Sequence, residues 1–297
     1  MRRGPKTVEA QDVRYVGVVG CGLMGSGVVE VCARAGLRVT FVEGDPDLVT
    51  VGRGRIERSL DTAVSRGKLD DAQRGAALGL IAATTDLADL ADVDLVIEAA
   101  TEDREAKVAI FARLGAITRP DVVLASNTSS IPIASLSAAS RRPGLVIGMH
   151  FFNPVPVMPL LELTPSDATS EDTYDLALAF GRDVLGKTCV RSTDEAGFIV
   201  NRLLIPYLFD AIRLYERGFA TREDIDTAIR LGLAHPMGPL RLSDLIGLDT
   251  VLHIGEVLRS AFGEERYEAP ALLRELVAQG SLGRKSGAGF YDYDRPA

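Results

Sequence analysis

The sequence predicts an α/β fold, a mostly parallel sheet layered between helices, followed by a smaller all-α domain. Three observations predict it. Short apolar runs alternate with helical stretches over the first ~195 residues. A glycine-rich turn directly follows the first of those runs. From Gly197 onward the pattern becomes wholly helical. A chain of 297 residues suits about two domains of ~150 residues each. The expected domains are 1–195 and 196–297.

The apolar runs are Tyr15–Val19, Leu37–Val42, Asp94–Ala99, Val122–Ala125, Leu145–Phe151 and Thr188–Arg191. Strands alternating with amphipathic helices build parallel βαβ units with helices on both sheet faces. In the second half, Phe198–Arg217 reads as an apolar-rich helix interrupted by Pro206 and stopped by Gly218. It is apolar nearly all round to Leu214, so burial on most sides is expected. A domain this small would reach that burial against a second copy, hence an expected homodimer. Thr221-Arg-Glu-Asp224 resembles a capping-box start, with Ile225, Ala228 and Ile229 on one face. Pro270 suits a first helical position before Leu272, Leu273, Leu276 and Val277, and Gly280 is the stop.

Charge excludes some partners. Lys+Arg 33 against Asp+Glu 41 leaves −8, which offers no bulk attraction to nucleic acid or an anionic membrane. At 46% hydrophobic and 25% charged, the composition is globular. Cys21, Cys32 and Cys189 cannot form a closed disulfide framework, so a reducing, cytoplasmic setting is expected. Met1–Asp12 is polar, without the apolar segment of a secretory signal. The stretch Pro143–Leu161 lacks Asp, Glu, Lys and Arg, but Pro143, Pro154, Pro156 and Pro159 break it as a membrane helix.

Gly20-Cys21-Gly22-Leu23-Met24-Gly25 follows the run Tyr15–Val19 and opens a helix to about Ala35, with Gly36 as its stop. Alone, such glycines are weak evidence, and a structural turn is the competing reading. A strand before, a helix after and an acidic residue at the right distance make the pattern Rossmann-like. The glycines permit a tight turn and let backbone approach a pyrophosphate, whose charge is favoured at a helix N-terminus. Glu43, 23 residues beyond Gly20, ends the next strand, where a carboxylate accepts from ribose hydroxyls. Gly44, Asp45 and Pro46 follow with no Arg for a 2′-phosphate, which favours NAD over NADP.

An NAD-dependent enzyme that oxidises an alcohol needs a base, and the chain has 3 histidines. His253 lies in a helical stretch and reads as solvated or core-edge; His235 precedes Pro236 in a turn. His150 ends an apolar strand at the sheet edge where ligands bind, before Phe151, Phe152 and Asn153. It is the candidate base, against a purely structural role. A catalytic imidazole needs one tautomer and a nearby carboxylate. Glu162, flanked by Leu160, Leu161 and Leu163, could return beside His150 through the proline-rich reversal Asn153–Pro159. Ser126-Asn127-Thr128-Ser129-Ser130 follows another strand and is either a polar site element or a helix cap. Asn201, at the apolar start of the second domain, is either a site group or a domain-joining hydrogen bond. No cluster has metal-ligand spacing, so no metal is expected.

These motifs resemble the L-3-hydroxyacyl-CoA dehydrogenase family, especially the short-chain 3-hydroxybutyryl-CoA dehydrogenases of bacteria. The likeness spans Val16 to Tyr293. Its markers are GCGLMGSG at 20–27, SNTSS at 126–130, HFFNPVPVM at 150–158, GFIVNRLLIPYL at 197–208, HPMGPLRLSDLIGLDT at 235–250 and GRKSGAGFYDY at 283–293. The resemblance implies NAD-dependent oxidation of an L-3-hydroxyacyl-CoA, with His150 as base and Glu162 as its partner. It implies that Ser129 and Asn201 bond the substrate or the catalytic groups. Implied cofactor contacts are the glycine loop, Glu43, Glu102, Lys107, Ser129, Asn153 and Lys285. Ser59 and Arg66 are implied contacts to CoA. Glu43 stands where the family often has Asp, and Arg66 where the animal enzyme has Lys, which keeps charge but changes geometry. CoA is polyanionic, and Arg53, Arg55, Arg58, Arg66 and Lys68 supply a candidate basic face. A solvated helix face balanced by Glu57, Asp61 and Asp70 is the competing reading.

Two other functions fit the same residues. One keeps the chemistry on an acyl-carrier-protein thioester or a free hydroxy acid, since fold does not settle substrate. The other is a catalytically silent NAD-binding structural or sensor protein, against which the joint presence of His150, Glu162, Ser129 and Asn201 argues.

Overall fold

A computed structural model of the chain describes residues 10–293. The polar N-terminal stretch read above therefore falls, up to residue 9, outside the described residues. Contacts divide the chain into two compact units, Met1–Glu195 and Ala196–Ala297.

The first unit is Rossmann-like. In chain order it comprises β1 (Tyr15–Val19), α1 (Leu23–Arg34), β2 (Arg38–Val42), α2 (Pro46–Ser65), α3 (Asp71–Gly79), β3 (Ile81–Thr84) and β4 (Leu95–Glu98). Then come α4 (Arg104–Ile117), β5 (Val123–Ser126), α5 (Ile133–Ser140), β6 (Val146–Phe151), β7 (Leu160–Pro165), α6 (Glu171–Ala179) and β8 (Thr188–Arg191). The sheet order is β3-β2-β1-β4-β5-β6-β7-β8. Neighbours run parallel except β6 and β7, which are antiparallel. Strand side chains alternate between two buried layers. Val18, Phe41, Ile97 and Ala125 pack in one, while Val19, Val42, Val96 and Leu124 pack in the other with Phe111 and Leu114 of α4.

Helix starts follow local chemistry. Asp45 caps α2 by accepting from Leu48 N at 2.8 Å, with Pro46 in the first turn. Asp70 and Gln73 close a capping box on α3. The N-terminus of α5 is capped from a distance: Asp194 accepts from Ile133 N at 2.7 Å and Ala134 N at 2.8 Å. Ser126–Ser130 thus do not cap α5, and their polar groups serve elsewhere.

The sequence reading omits β3 and β7. The stretch of β3 is short and alanine-rich, with Ile81 its one buried residue, and Glu162 breaks the pattern of β7. The segment Pro143–Leu161 contains β6 and a turn, and no described helix is long and apolar enough to cross a membrane.

The second unit is all-α: α7 (Val200–Glu216), α8 (Arg222–Gly232), α9 (Pro239–Ile246), α10 (Leu248–Phe262) and α11 (Ala271–Ala278). Helix α7 runs through Pro206 without interruption. A proline removes one backbone donor and can be carried by a well-packed helix. Its burial is one-sided, with Ile205, Leu208, Phe209 and Ile212 inward and Leu203 70% exposed. On α8 the buried residues are Ile225 and Asp226, whereas Ala228 is exposed. Pro270 is the cap before α11 instead of its first residue. Buried Asp244 accepts from Phe290 N, Tyr291 N and the Tyr293 hydroxyl at 2.9–3.0 Å, fastening the 283–293 segment.

Candidate active site

Parallel strands deliver their C-terminal ends to one sheet edge, and ligands bind there at the point where strand order reverses. Here the reversal falls between β1 and β4. The register sets Val19, Glu98 and Ser126 level with one another. The segments that follow them, with the end of β6, form the candidate site.

Each glycine of the first loop has its own constraint. Gly20 adopts φ 88°, and a Cβ there would lie 2.7 Å from the Ala100 backbone. A Cβ on Gly25 would collide with the Gly20 carbonyl oxygen. Gly22 is the opposite case: nothing lies within 4 Å of the place a Cβ would fill. It is also the uncapped residue that opens α1. An open cradle at a helix N-terminus fits the pyrophosphate of a dinucleotide. Leu23 and Met24 begin the helix itself.

Glu43 follows β2 and reaches back into this loop, accepting from Cys21 N at 2.6 Å. Burial, reinforced by the Glu43 charge, pushes the Cys21 thiol up to about 12. It stays protonated and is no nucleophile.

At the ends of β4 and β5 lies a buried polar network. Glu98 accepts from Lys107 Nζ at 2.6 Å, Ala100 N at 2.7 Å and Ser126 Oγ at 2.6 Å. Lys107 is buried with it and also lies 3.4 Å from Glu102. Glu102 Oε1 accepts from Thr128 Oγ1 at 2.5 Å, Ser129 N at 3.1 Å and Ser130 Oγ at 2.7 Å. Burial raises the Glu102 carboxyl, but the Lys107 charge and these donors outweigh it and hold it below the usual range. The network draws together three residues singled out from sequence, Glu102, Lys107 and Ser129. Ser126 and Thr128, from the polar stretch 126–130, join it too; its hub Glu98 is the residue the sequence does not mark, because a strand-end Glu gives no local sign of a Lys nine residues on. Asn127 completes the tie: its Oδ1 accepts from Phe151 N at 2.9 Å.

His150 and Glu162 meet. The antiparallel β6–β7 register sets them directly opposite. His150 Nδ1 lies 2.7 Å from Glu162 Oε2, and both side chains are buried. The Phe152 ring stands 4.6 Å from the imidazole, centroid to centroid. A carboxylate accepts only, so it selects the Nδ1–H tautomer and leaves Nε2 as the acceptor nitrogen.

Beside the glycine loop, a cavity of about 270 Å³ is lined by Leu23, Ser26, Arg55, Arg58, Ser59 and Asn153. Asn153 and Ser59 therefore share one cavity. Arg66 caps the far end of α2 and is exposed outside that lining. Arg53 leaves the basic face, since its guanidinium donates to Ile81 O at 3.1 Å. Two of the three balancing carboxylates are also engaged: Asp61 pairs with Arg74 at 2.6 Å, and Asp70 caps α3.

The remaining candidates belong to the helical unit. Asn201 is buried in the first turn of α7. Lys285 Nζ donates to Asp249 Oδ2 at 2.6 Å. His253 is exposed on α10, and exposed His235 lies 3.5 Å from the Tyr207 hydroxyl. Among the described residues no three His, Cys, Asp or Glu side chains gather as a metal site.

Family models match both units: "3-hydroxyacyl-CoA dehydrogenase, NAD binding domain" over residues 15–195, and "3-hydroxyacyl-CoA dehydrogenase, C-terminal domain" over 197–293. A 3-hydroxybutyryl-CoA dehydrogenase of Mycobacterium tuberculosis is 54% identical over 282 residues, 95% of this chain and 99% of that protein. The crystal structure of FadB2 from M. tuberculosis aligns with TM-score 0.93 at 54% identity, covering 95% of this chain and 99% of that one. That of (S)-3-hydroxybutyryl-CoA dehydrogenase from Ralstonia eutropha aligns with TM-score 0.89 at 43% identity, covering 96% and 100%.

The Glu102 network predicts a pH-dependent stability. A carboxyl held low in the folded state stabilises above its unfolded pKa, near ~4.3, and loses that contribution as pH falls through the depressed folded value. Glu102→Gln should therefore unfold at lower urea than wild type at pH 7, with the gap narrowing as pH drops below ~4. A gap that stays constant between pH 7 and pH 3 contradicts the assignment.

Proposed function

The chain belongs to the 3-hydroxyacyl-CoA dehydrogenase family, and on that premise we propose that His150 and Glu162 are the proton-accepting pair with which it oxidises a short-chain L-3-hydroxyacyl-CoA. The observation that carries the proposal is the buried 2.7 Å contact between His150 Nδ1 and Glu162 Oε2. His150 Nε2 takes the proton of the C3 hydroxyl as the carbonyl forms, and returns it in the reverse reduction. NAD, when bound, supplies the acceptor for the C3 hydride. Glu162 holds the imidazole in register and stabilises the imidazolium.

The loop Gly20–Gly25 holds the pyrophosphate through its backbone, and Glu43 accepts from the ribose hydroxyls. Ser129 in the β5–α5 loop and Glu102 in the β4–α4 loop, joined by a hydrogen bond from Ser129 N at 3.1 Å, orient cofactor and substrate, and Asn153 adds a contact from the cavity beside the glycine loop. Lys107 acts through Glu98 and Glu102, because its ammonium is spent on those carboxylates. Asn201 is assigned to a substrate oxygen, and Lys285 to a cofactor contact for which its ammonium must leave Asp249. Ser59 and Arg66, with Arg55 and Arg58, receive the CoA phosphates. Among the described residues no carboxylate lies within 4.0 Å of these arginines, which supports a role in binding an anion.

We also propose a cytoplasmic homodimer joined through the helical unit. Leu203 and Phe219 are 70% and 77% exposed in the single chain, an unfavourable display of large apolar groups. Sedimentation should give twice the chain mass, and a monomer at micromolar concentration contradicts the dimer.

His150→Gln should lower kcat by about 10²–10⁴-fold, with NADH affinity little changed. Near-normal turnover removes His150 as base. In the same assay 3-hydroxybutyryl-CoA should exceed its carrier-protein thioester and free 3-hydroxybutyrate in kcat/KM. A preference for either of the others reassigns the substrate.

A further inference from the structure

The turn between His150 and Glu162 is held by a lysine that the reaction itself does not use. Lys187 lies just ahead of β8 and is buried. Its ammonium donates to Val155 O at 2.6 Å and to Met158 O at 2.8 Å, two carbonyls of the same 153–159 turn. Its own N–H is fixed to Gly181 O at 2.8 Å. Among the described residues no carboxylate lies within 4.0 Å of this ammonium. A lysine surrendered to carbonyls in place of a counter-ion is costly, and burial holds it below the usual lysine range. Such an arrangement calls for a reason.

The packing of the turn supplies one. Val155 is buried against α1, where a Cβ on Gly27 would stand 2.8 Å from it. Asn153, at the head of the turn, lines the cavity with Leu23 and Ser26 of α1. The turn therefore closes over the first turns of the helix that opens at the glycine loop. We propose that Lys187 is a positioning residue for NAD: by clamping Val155 and Met158 carbonyls it sets Asn153 and the turn against the glycine-loop helix.

This inference rests on the proposed reading of the glycine loop as the dinucleotide site. The test is NADH binding by fluorescence, with kcat and KM for NAD, on wild type, Lys187→Met and Lys187→Arg. Folding is checked by circular dichroism and urea unfolding. Lys187→Met should raise the NADH Kd and the KM for NAD at least fivefold. Its kcat at saturating NAD should stay within about threefold, and Lys187→Arg should recover much of the affinity. A merely structural lysine would lower the unfolding midpoint and leave the Kd of the folded fraction unmoved. A folded Lys187→Met with wild-type Kd overturns the proposal. So does failure of both variants to fold, which makes Lys187 a stability residue. Absence of NADH binding in wild type sinks the reading of the loop instead, so the two failures are distinguishable.

Discussion

One buried contact, the imidazole of His150 against the carboxylate of Glu162, organises the edge of the sheet around it. Neither group would be stable there alone, since an unpaired carboxylate in an apolar wall costs several kcal/mol. Parallel neighbours could not bring two residues only 12 positions apart face to face. Among the described residues the one antiparallel pair of the sheet does so, because β6 and β7 are joined by a short reversal that sets them opposite. The departure from a wholly parallel sheet is thus tied to this contact. A purely structural histidine would account for the contact but not for its place at the ligand edge with Phe152 beside it.

Around this pair the strand ends are cross-tied instead of merely adjacent. Asn127 links the β5 loop to Phe151, the residue after His150. Glu98 joins that loop to α4 through Ser126 and Lys107. Lys187 ties the turn beyond His150 to the approach to β8. Preorganised polar groups of this kind lose little freedom when substrate arrives, which is how a site stabilises charge that develops during reaction. The glycine loop adds the complementary feature, one open place at Gly22 between two positions where even a methyl group would not fit.

What was legible in the sequence was local or periodic. The strand β1, the helix after it and the placement of Glu43 followed from glycine spacing and an apolar run. His150 emerged by elimination among few histidines, and Glu162 from a proline-rich reversal. What escaped was non-local. No pattern near Glu98 announces Lys107, none near Ile133 announces its cap Asp194, and nothing near Lys187 points to Val155. Edge strand β3 is only four residues long with two alanines, and β7 is hidden by the Glu162 in its middle. Pro206 misled in the other direction: the buried face of α7, from Ile205 to Ile212, outweighs the loss of one backbone donor. Gly283 and Gly289 are visible as part of a marker, but their reason, the close approach of Asp244, appears only in three dimensions.

In the proposed reaction Glu162 fixes the tautomer of His150 so that Nε2 accepts the proton. With 3 histidines in the chain, ¹⁵N NMR of the imidazoles resolves it directly. In neutral wild-type enzyme the His150 ring should appear as the Nδ1–H tautomer, and Glu162→Leu should abolish that preference. An Nε2–H tautomer in wild type, or a pattern indifferent to the loss of Glu162, would contradict the account.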